Sequence, residues 1–309
     1  MNQPVIKTER EPLLTPTFLK RLERLDILSR KILRGKMQGE RRSKKRGQSV
    51  EFADFRNYVS GDDLRFIDWN LYARLDKLFL RLFMEEEDLT VSIVLDTTAS
   101  MNHGNPNKLR YMKQLAAALS YISLIKYNRL SLFTFTDDIT ASLPNLRGRR
   151  PMPHVINFLE TNTPEITSAT QPGDFSRVCK SLARHQQHPG VIVLISDFFD
   201  KGELGDALNY LTGATRDVYA LQLLSPEEVD PRKGDLLGDL RLQDIEDGDI
   251  TEVSITPELI DRYQANLEAY CNHVRTQCSK RDILYLLADT SVPVETLILK
   301  YLRQRGLVG

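Results

Sequence analysis

The chain has 309 residues, 41% apolar and 27% charged, with 42 basic and 42 acidic side chains. That length buries a hydrophobic core unaided, and the composition excludes a disordered chain or a disulfide scaffold. Zero net charge hides a polarity: residues 1–50 carry an excess of about nine positive charges and 224–265 about eight negative, a dipole able to steer a charged partner or pair the two segments. The three cysteines, Cys179, Cys271 and Cys278, show no CxxC spacing, so neither a zinc site nor a stapled secreted framework is indicated and a reducing compartment is expected. With no apolar run near the roughly 20 residues of a membrane span and no signal-peptide core in MNQPVIKTEREPLL, the expected location is cytoplasmic.

In chain order, Thr15-Pro16-Thr17 starts an amphipathic helix carrying Phe18, Leu22, Leu25 and Ile32 and stopping at Gly35. Its apolar stripe is expected to pack on the domain behind it; docking on a partner or an anionic membrane is the alternative. The polar stretch that follows holds Arg41, Arg42, Lys44, Lys45 and Arg46 without interleaved aromatics, which reads as a loop, with phosphate or nucleic-acid binding as the alternative.

From about residue 90 buried strands alternate with amphipathic helices, the pattern of a doubly wound, mostly parallel α/β sheet. Strands are expected at 91–96, 129–138, 139–144 (an edge), 191–197, 217–224 and 282–288. Helices are expected at 107–127, 151–161, 174–187, 203–212, 257–280 and 293–305, with an acidic hairpin at 240–256 turning at Asp247-Gly248. The chain thus divides into an N-terminal extension, 1–88, and an α/β domain, 89–309.

Ligands of such sheets bind beyond the carboxyl ends of the strands. The residues leaving the first and third buried runs are Asp96, Thr98 and Ser100, and Asp197. Two carboxylates and two hydroxyls form an oxygen-only set suited to Mg²⁺ or Mn²⁺, on which a partner's carboxylate could close. The competing reading is structural: Thr98 and Ser100 cap the next turn, and Asp96 accepts backbone N–H bonds.

Asp96-Thr97-Thr98-Ala99-Ser100 resembles the DxSxS element of von Willebrand factor A domains, and Ser196-Asp197-Phe198 is similar to their later S/T-D-G strand end. The middle metal-site loop departs from that pattern: Gly173 stands where a threonine is expected, with Thr170 or Asp174 as substitutes off the motif. The resemblance therefore implies a weak or absent metal. A more specific likeness covers residues 52–101: Tyr58, Gly61, Asp62, Asp63, Arg65, Ile67, Asp68, Trp69, Ala73 and Arg74 fall on the signature of the bacterial domain-of-unknown-function family fifty-eight. With Arg81, Glu85, Glu86 and Glu87, these charges suggest an ion-pair network, with Trp69 as a packing anchor.

That resemblance implies a non-enzymatic binding module acting with a MoxR-type AAA+ ATPase and a client protein. Rival readings are a nucleic-acid-binding protein using the 40–46 arm and a phosphoester hydrolase using Asp96. The hydrolase chemistry requires a second Asp two residues on, where this chain has Thr98, and the five histidines form no ligand spacing.

Overall fold

Val191–Ile195 is wholly aliphatic and Val91–Leu95 is broken only by Ser92, so neither has the polar alternation of a half-exposed strand and each fits a strand covered on both faces. The computed structural model describes residues 12–31, 50–85, 89–161, 175–185, 188–199, 202–213, 216–234, 238–243 and 250–309. It divides the chain into two units, Met1–Arg34 with Leu89–Gly309, and Gly35–Asp88. This differs from the expected division at residue 88, because the N-terminal helix groups with the α/β domain. The basic residues 40–46 lie outside the described residues.

In the smaller unit, β1 (Val50–Asn57) pairs antiparallel with β2 (Phe79–Glu85), with a bulge between Phe52 and Asp54. This hairpin has no counterpart among the expected elements. The signature residues fill the connection, and their carboxylates chiefly organise backbone. Asp62 accepts from Val59 N at 2.9 Å and from Arg56 at 2.6 Å, just after Gly61, whose φ of +100° disfavours any side chain. Asp63 caps the 3-10 turn Leu64–Phe66 while pairing with Arg65 at 2.5 Å, and Asp68 caps the helix Trp69–Leu75 through Asn70 N and Leu71 N. Within this unit the Trp69 ring meets Tyr72 edge-on. Glu86 and Glu87 lie outside the described residues.

The larger unit carries the expected α/β architecture. After β3 (Thr90–Asp96), β4 (Arg129–Phe135), β5 (Ile139–Leu146), β6 (Gly190–Ser196) and β7 (Arg216–Leu224), a hairpin of β8 (Gly238–Gln243) and β9 (Ile250–Ile255) precedes β10 (Leu284–Asp289). The main sheet runs β10-β7-β6-β3-β4-β5; every pairing is parallel except β4 with the edge strand β5. The hairpin matches the expected acidic segment, with its turn, including Asp247 and Gly248, outside the described residues.

Alternation along the strands builds two cores. Val91, Ile93 and Leu95 of β3, with Val191, Val193 and Ile195 of β6, face the helix Lys108–Ile125 and the C-terminal helical segment. Val94, Ile192 and Leu194 face the helices Phe175–His185 and Leu204–Asn209, with Val274 and Cys278 of the helix Pro257–Ser279. The last helix begins as Val294–Thr296 and continues as π-helix over Leu297–Leu302. Among the described residues no helix is long and apolar enough to cross a membrane.

The N-terminal helix is shorter than its apolar spacing suggests, running Pro16–Leu22 with Thr15 as its cap. Tertiary pairing overrides the helical period beyond it: Ile27 bridges Val308, and Asp26 and Gly309 exchange two backbone hydrogen bonds of 3.0 Å. Phe18, Leu22, Leu25 and Ile27 are buried in the same core as the helix Lys108–Ile125, so the stripe packs on the domain as far as it is described; Ile32 and Gly35 lie outside the described residues. Ser29 Oγ and Lys31 N donate to the buried Asp217 at the start of β7, at 2.7 and 3.0 Å. Leu22→Ala is therefore expected to cost about 2–5 kcal/mol in urea denaturation, the range for a fully buried leucine; an unchanged midpoint would mean that the segment does not belong to the core.

Candidate functional site

β3 is where the chain order turns: β4 and β5 continue to one side of it, and β6, β7 and β10 to the other. Side chains leaving β3 and β6 therefore share the crevice where open α/β sheets place their ligands. Asp96 ends β3 and is 4% exposed. Its Oδ1 accepts from Thr98 N at 2.9 Å and Thr98 Oγ1 at 2.7 Å, and its Oδ2 accepts from Ser196 Oγ at 2.5 Å. Thr97 fastens the loop by donating N–H and hydroxyl to Phe135 O at the end of β4. Thr98 Oγ1 and Ser100 Oγ lie 3.0 Å apart, both half-buried. Asp96 thus accepts a backbone N–H as in the structural reading, whereas Thr98, at the start of the 3-10 turn Ala99–Asn102, makes no side-chain capping hydrogen bond.

Asp197 follows β6 and meets a residue that the sequence reading passed over. Lys108, first in the helix Lys108–Ile125, is 0% exposed; its Nζ donates to Asp197 Oδ2 at 2.9 Å and to Glu228 Oε1 at 2.6 Å. Glu228 comes from the short helix Pro226–Val229 after β7, where its other oxygen accepts from Ser225 N at 2.7 Å in a capping box. The ammonium thus ties together elements that follow β3, β6 and β7. Asp197 Oδ1 accepts from Phe199 N at 3.2 Å, and its carbonyl accepts from Gln222 Nε2, which Tyr285 orients through Gln222 Oε1.

The loop after β6 is strained where the S/T-D-G pattern would have glycine: Phe198 has φ +60°, a left-handed conformation costly for a residue with a Cβ. Ser196 Oγ accepts from its N–H at 2.8 Å, the Tyr270 hydroxyl donates to its carbonyl, and its ring packs edge-on against Phe175. The following Phe199 is 44% exposed, lies against the Tyr270 ring, and has Lys108 Nζ 5.9 Å from its centroid.

Burial, and after it the nearby Asp197 carboxylate, push the Asp96 carboxyl up to about 7, although the Ser196 and Thr98 hydrogen bonds oppose the shift. For Lys108, burial works to lower the pKa, but Asp197 and Glu228 overcome it and hold the ammonium above its ordinary value. The buried lysine is charged.

The structure brings Asp96, Thr98 and Ser100 together and sets Asp197 beside them. Thr170, Gly173 and Asp174 of the middle loop lie outside the described residues. Among the described residues, the side chains at the strand ends do not fit a divalent ion. Asp197 already carries an ammonium, Asp96 has both oxygens hydrogen-bonded, and the described residues hold no group of three metal-ligating His, Cys, Asp or Glu side chains.

Sequence reasoning missed Lys108, Glu228 and Gln222, and read Ser196 as part of the strand-end likeness without its bond to Asp96. A signal for Lys108 was present: a cation at the first position of a helix opposes the macrodipole and calls for acidic partners. Lys108→Met strands the Asp197 and Glu228 carboxylates and should destabilise the fold by about 3–5 kcal/mol. Adding Asp197→Asn should recover part of that loss in a double-mutant cycle by denaturation. Strict additivity would show that the two side chains do not interact.

Uncharacterized protein Rv1480 of Mycobacterium tuberculosis is 27% identical over 250 residues, spanning 80% of this chain and 77% of its own. Uncharacterized protein Mb1516 of Mycobacterium bovis matches to the same extent. Among solved structures, the conserved hypothetical protein BatB from Bacteroides thetaiotaomicron aligns with a TM-score of 0.44 at 16% identity, over 70% of this chain and 98% of that one. The ArnB paralog VWA2 from Sulfolobus acidocaldarius aligns with a TM-score of 0.32 at 15% identity, over 47% and 37% of the two chains. The model of a family described as "Protein of unknown function DUF58" matches residues 54–272, well over half of the chain, and the chain belongs to that family.

Proposed function

We propose that this chain is a non-enzymatic protein-binding module, an adaptor that docks a MoxR-type AAA+ ATPase or its client at the carboxyl ends of β3 and β6. The observation that carries this reading is the make-up of the rim. Half-buried Thr98 and Ser100 stand on a loop anchored by Asp96, and the exposed Phe199 lies beside the buried Lys108 cluster. An aromatic side chain held by a fixed polar frame is the composition of an interface hot spot.

The same geometry favours binding over catalysis. The carboxylates at the strand ends are engaged by the hydroxyls of Thr98 and Ser196 and by the Lys108 ammonium, and no histidine stands within hydrogen-bonding reach of Asp96 or Asp197 among the described contacts. Thr98 occupies the position where a phosphoester hydrolase needs its acid and uses its hydroxyl to hold Asp96. The partner is supplied by the family resemblance, since relatives carrying this signature are often encoded beside MoxR-type ATPases.

Co-purification with a MoxR-type AAA+ ATPase of the same organism tests the reading. The wild type should form a complex, and Ser100→Trp and Phe199→Ser, both at half-buried or exposed positions that leave the core intact, should each weaken it by about tenfold or more. A complex indifferent to both substitutions, or none at all, would refute docking at this rim.

A further inference from the structure

We propose that the Lys108 ammonium is the resident cation of the strand-end site, standing in for the divalent ion that the Asp96-Thr98-Ser100 and Asp197 pattern would otherwise hold.

Position gives the first argument. A lysine at the opening of the helix Lys108–Ile125 faces the positive end of the helix dipole, and nothing local favours it there. Its partners are distant in sequence: Asp197 at 2.9 Å and Glu228 at 2.6 Å, 89 and 120 residues away. Both belong to segments that follow parallel strands of the sheet.

Burial gives the second. With 0% exposure, Lys108 has exchanged its hydration for two carboxylates, an arrangement that would be costly to retain for a residue without a task in the site. The Asp197 backbone is fixed in turn by Gln222, and the Glu228 side chain by its capping box, so the ammonium meets a cradle set by its surroundings. The loop after β3 closes through Thr98 and Ser196 on Asp96, with no need of a metal to join its side chains.

The chemical consequence concerns what the site recognises. A bound Mg²⁺ or Mn²⁺ would present an electrophilic position to a partner's carboxylate. A buried ammonium shared by two carboxylates presents none, so contacts at this rim fall to the Thr98 and Ser100 hydroxyls and the Phe199 ring. The assignment of the cation holds whether or not the partner is the ATPase.

The test is Mn²⁺ binding followed by electron paramagnetic resonance, with melting temperature in Mg²⁺ and in chelator as a second readout. Wild-type protein should bind no Mn²⁺ in an Asp96-dependent way and should melt at the same temperature in both solutions. Lys108→Gln should gain Mn²⁺ binding that Asp96→Asn removes. Should Lys108→Gln fail to fold in chelator, millimolar Mg²⁺ should restore it. The proposal is overturned by wild-type Mn²⁺ binding that Asp96→Asn abolishes, by a folded Lys108→Gln that binds no Mn²⁺, or by an unfolded one that Mg²⁺ does not rescue.

Discussion

A charged lysine with no solvent exposure persists only where carboxylates reach it from fixed positions, and here they come from two different loops. Lys108 therefore makes the ends of three strands depend on one another. The helix after β3 must start where its first side chain reaches the end of β6, and the turn after β7 must bring Glu228 to the same ammonium. The Ser225–Glu228 capping box and the Gln222–Tyr285 pair extend this constraint into β7 and β10. Four parallel strands thus contribute, directly or through one intermediate, to a single polar cluster.

The two cores explain why the cluster can be placed so closely. β3 and β6 lie side by side in the middle of the sheet, covered on both faces by helices, so their ends have little room to shift. The N-terminal segment closes one face by pairing Ile27 with Val308 and burying Phe18 and Leu22 over the helix that carries Lys108. In the smaller unit carboxylates serve differently, for Asp62, Asp63 and Asp68 satisfy the backbone of a β1–β2 connection rich in exposed apolar side chains.

Much of the larger unit was legible because its chemistry is repetitive. Apolar runs with few polar breaks marked β3, β6 and β7, and helical spacing marked Lys108–Ile125 and Pro257–Ser279 to within about two residues. The positions of Asp96, Thr98, Ser100 and Asp197 at the strand ends followed from the same runs. What escaped depends on contacts between distant residues. Lysine in a helical stretch reads as solvated surface, Glu228 reads as part of an acidic segment, and Ser196 reads as part of the S/T-D-G likeness without a sign that its hydroxyl reaches Asp96. The N-terminal helix looked longer because Leu25 keeps its period, although its burial comes from the turn leading to Val308. Phe198 sits where glycine is usual, and the resulting left-handed backbone appears only in three dimensions.

A lysine ammonium organises the strand-end site. Anomalous diffraction from crystals grown in Mn²⁺ tests it most directly. The account predicts the Lys108 side chain resolved between Asp197 and Glu228, with no anomalous peak beside Asp96, Thr98 and Ser100. A manganese peak ligated by those residues, with Lys108 turned away from Asp197, would contradict it.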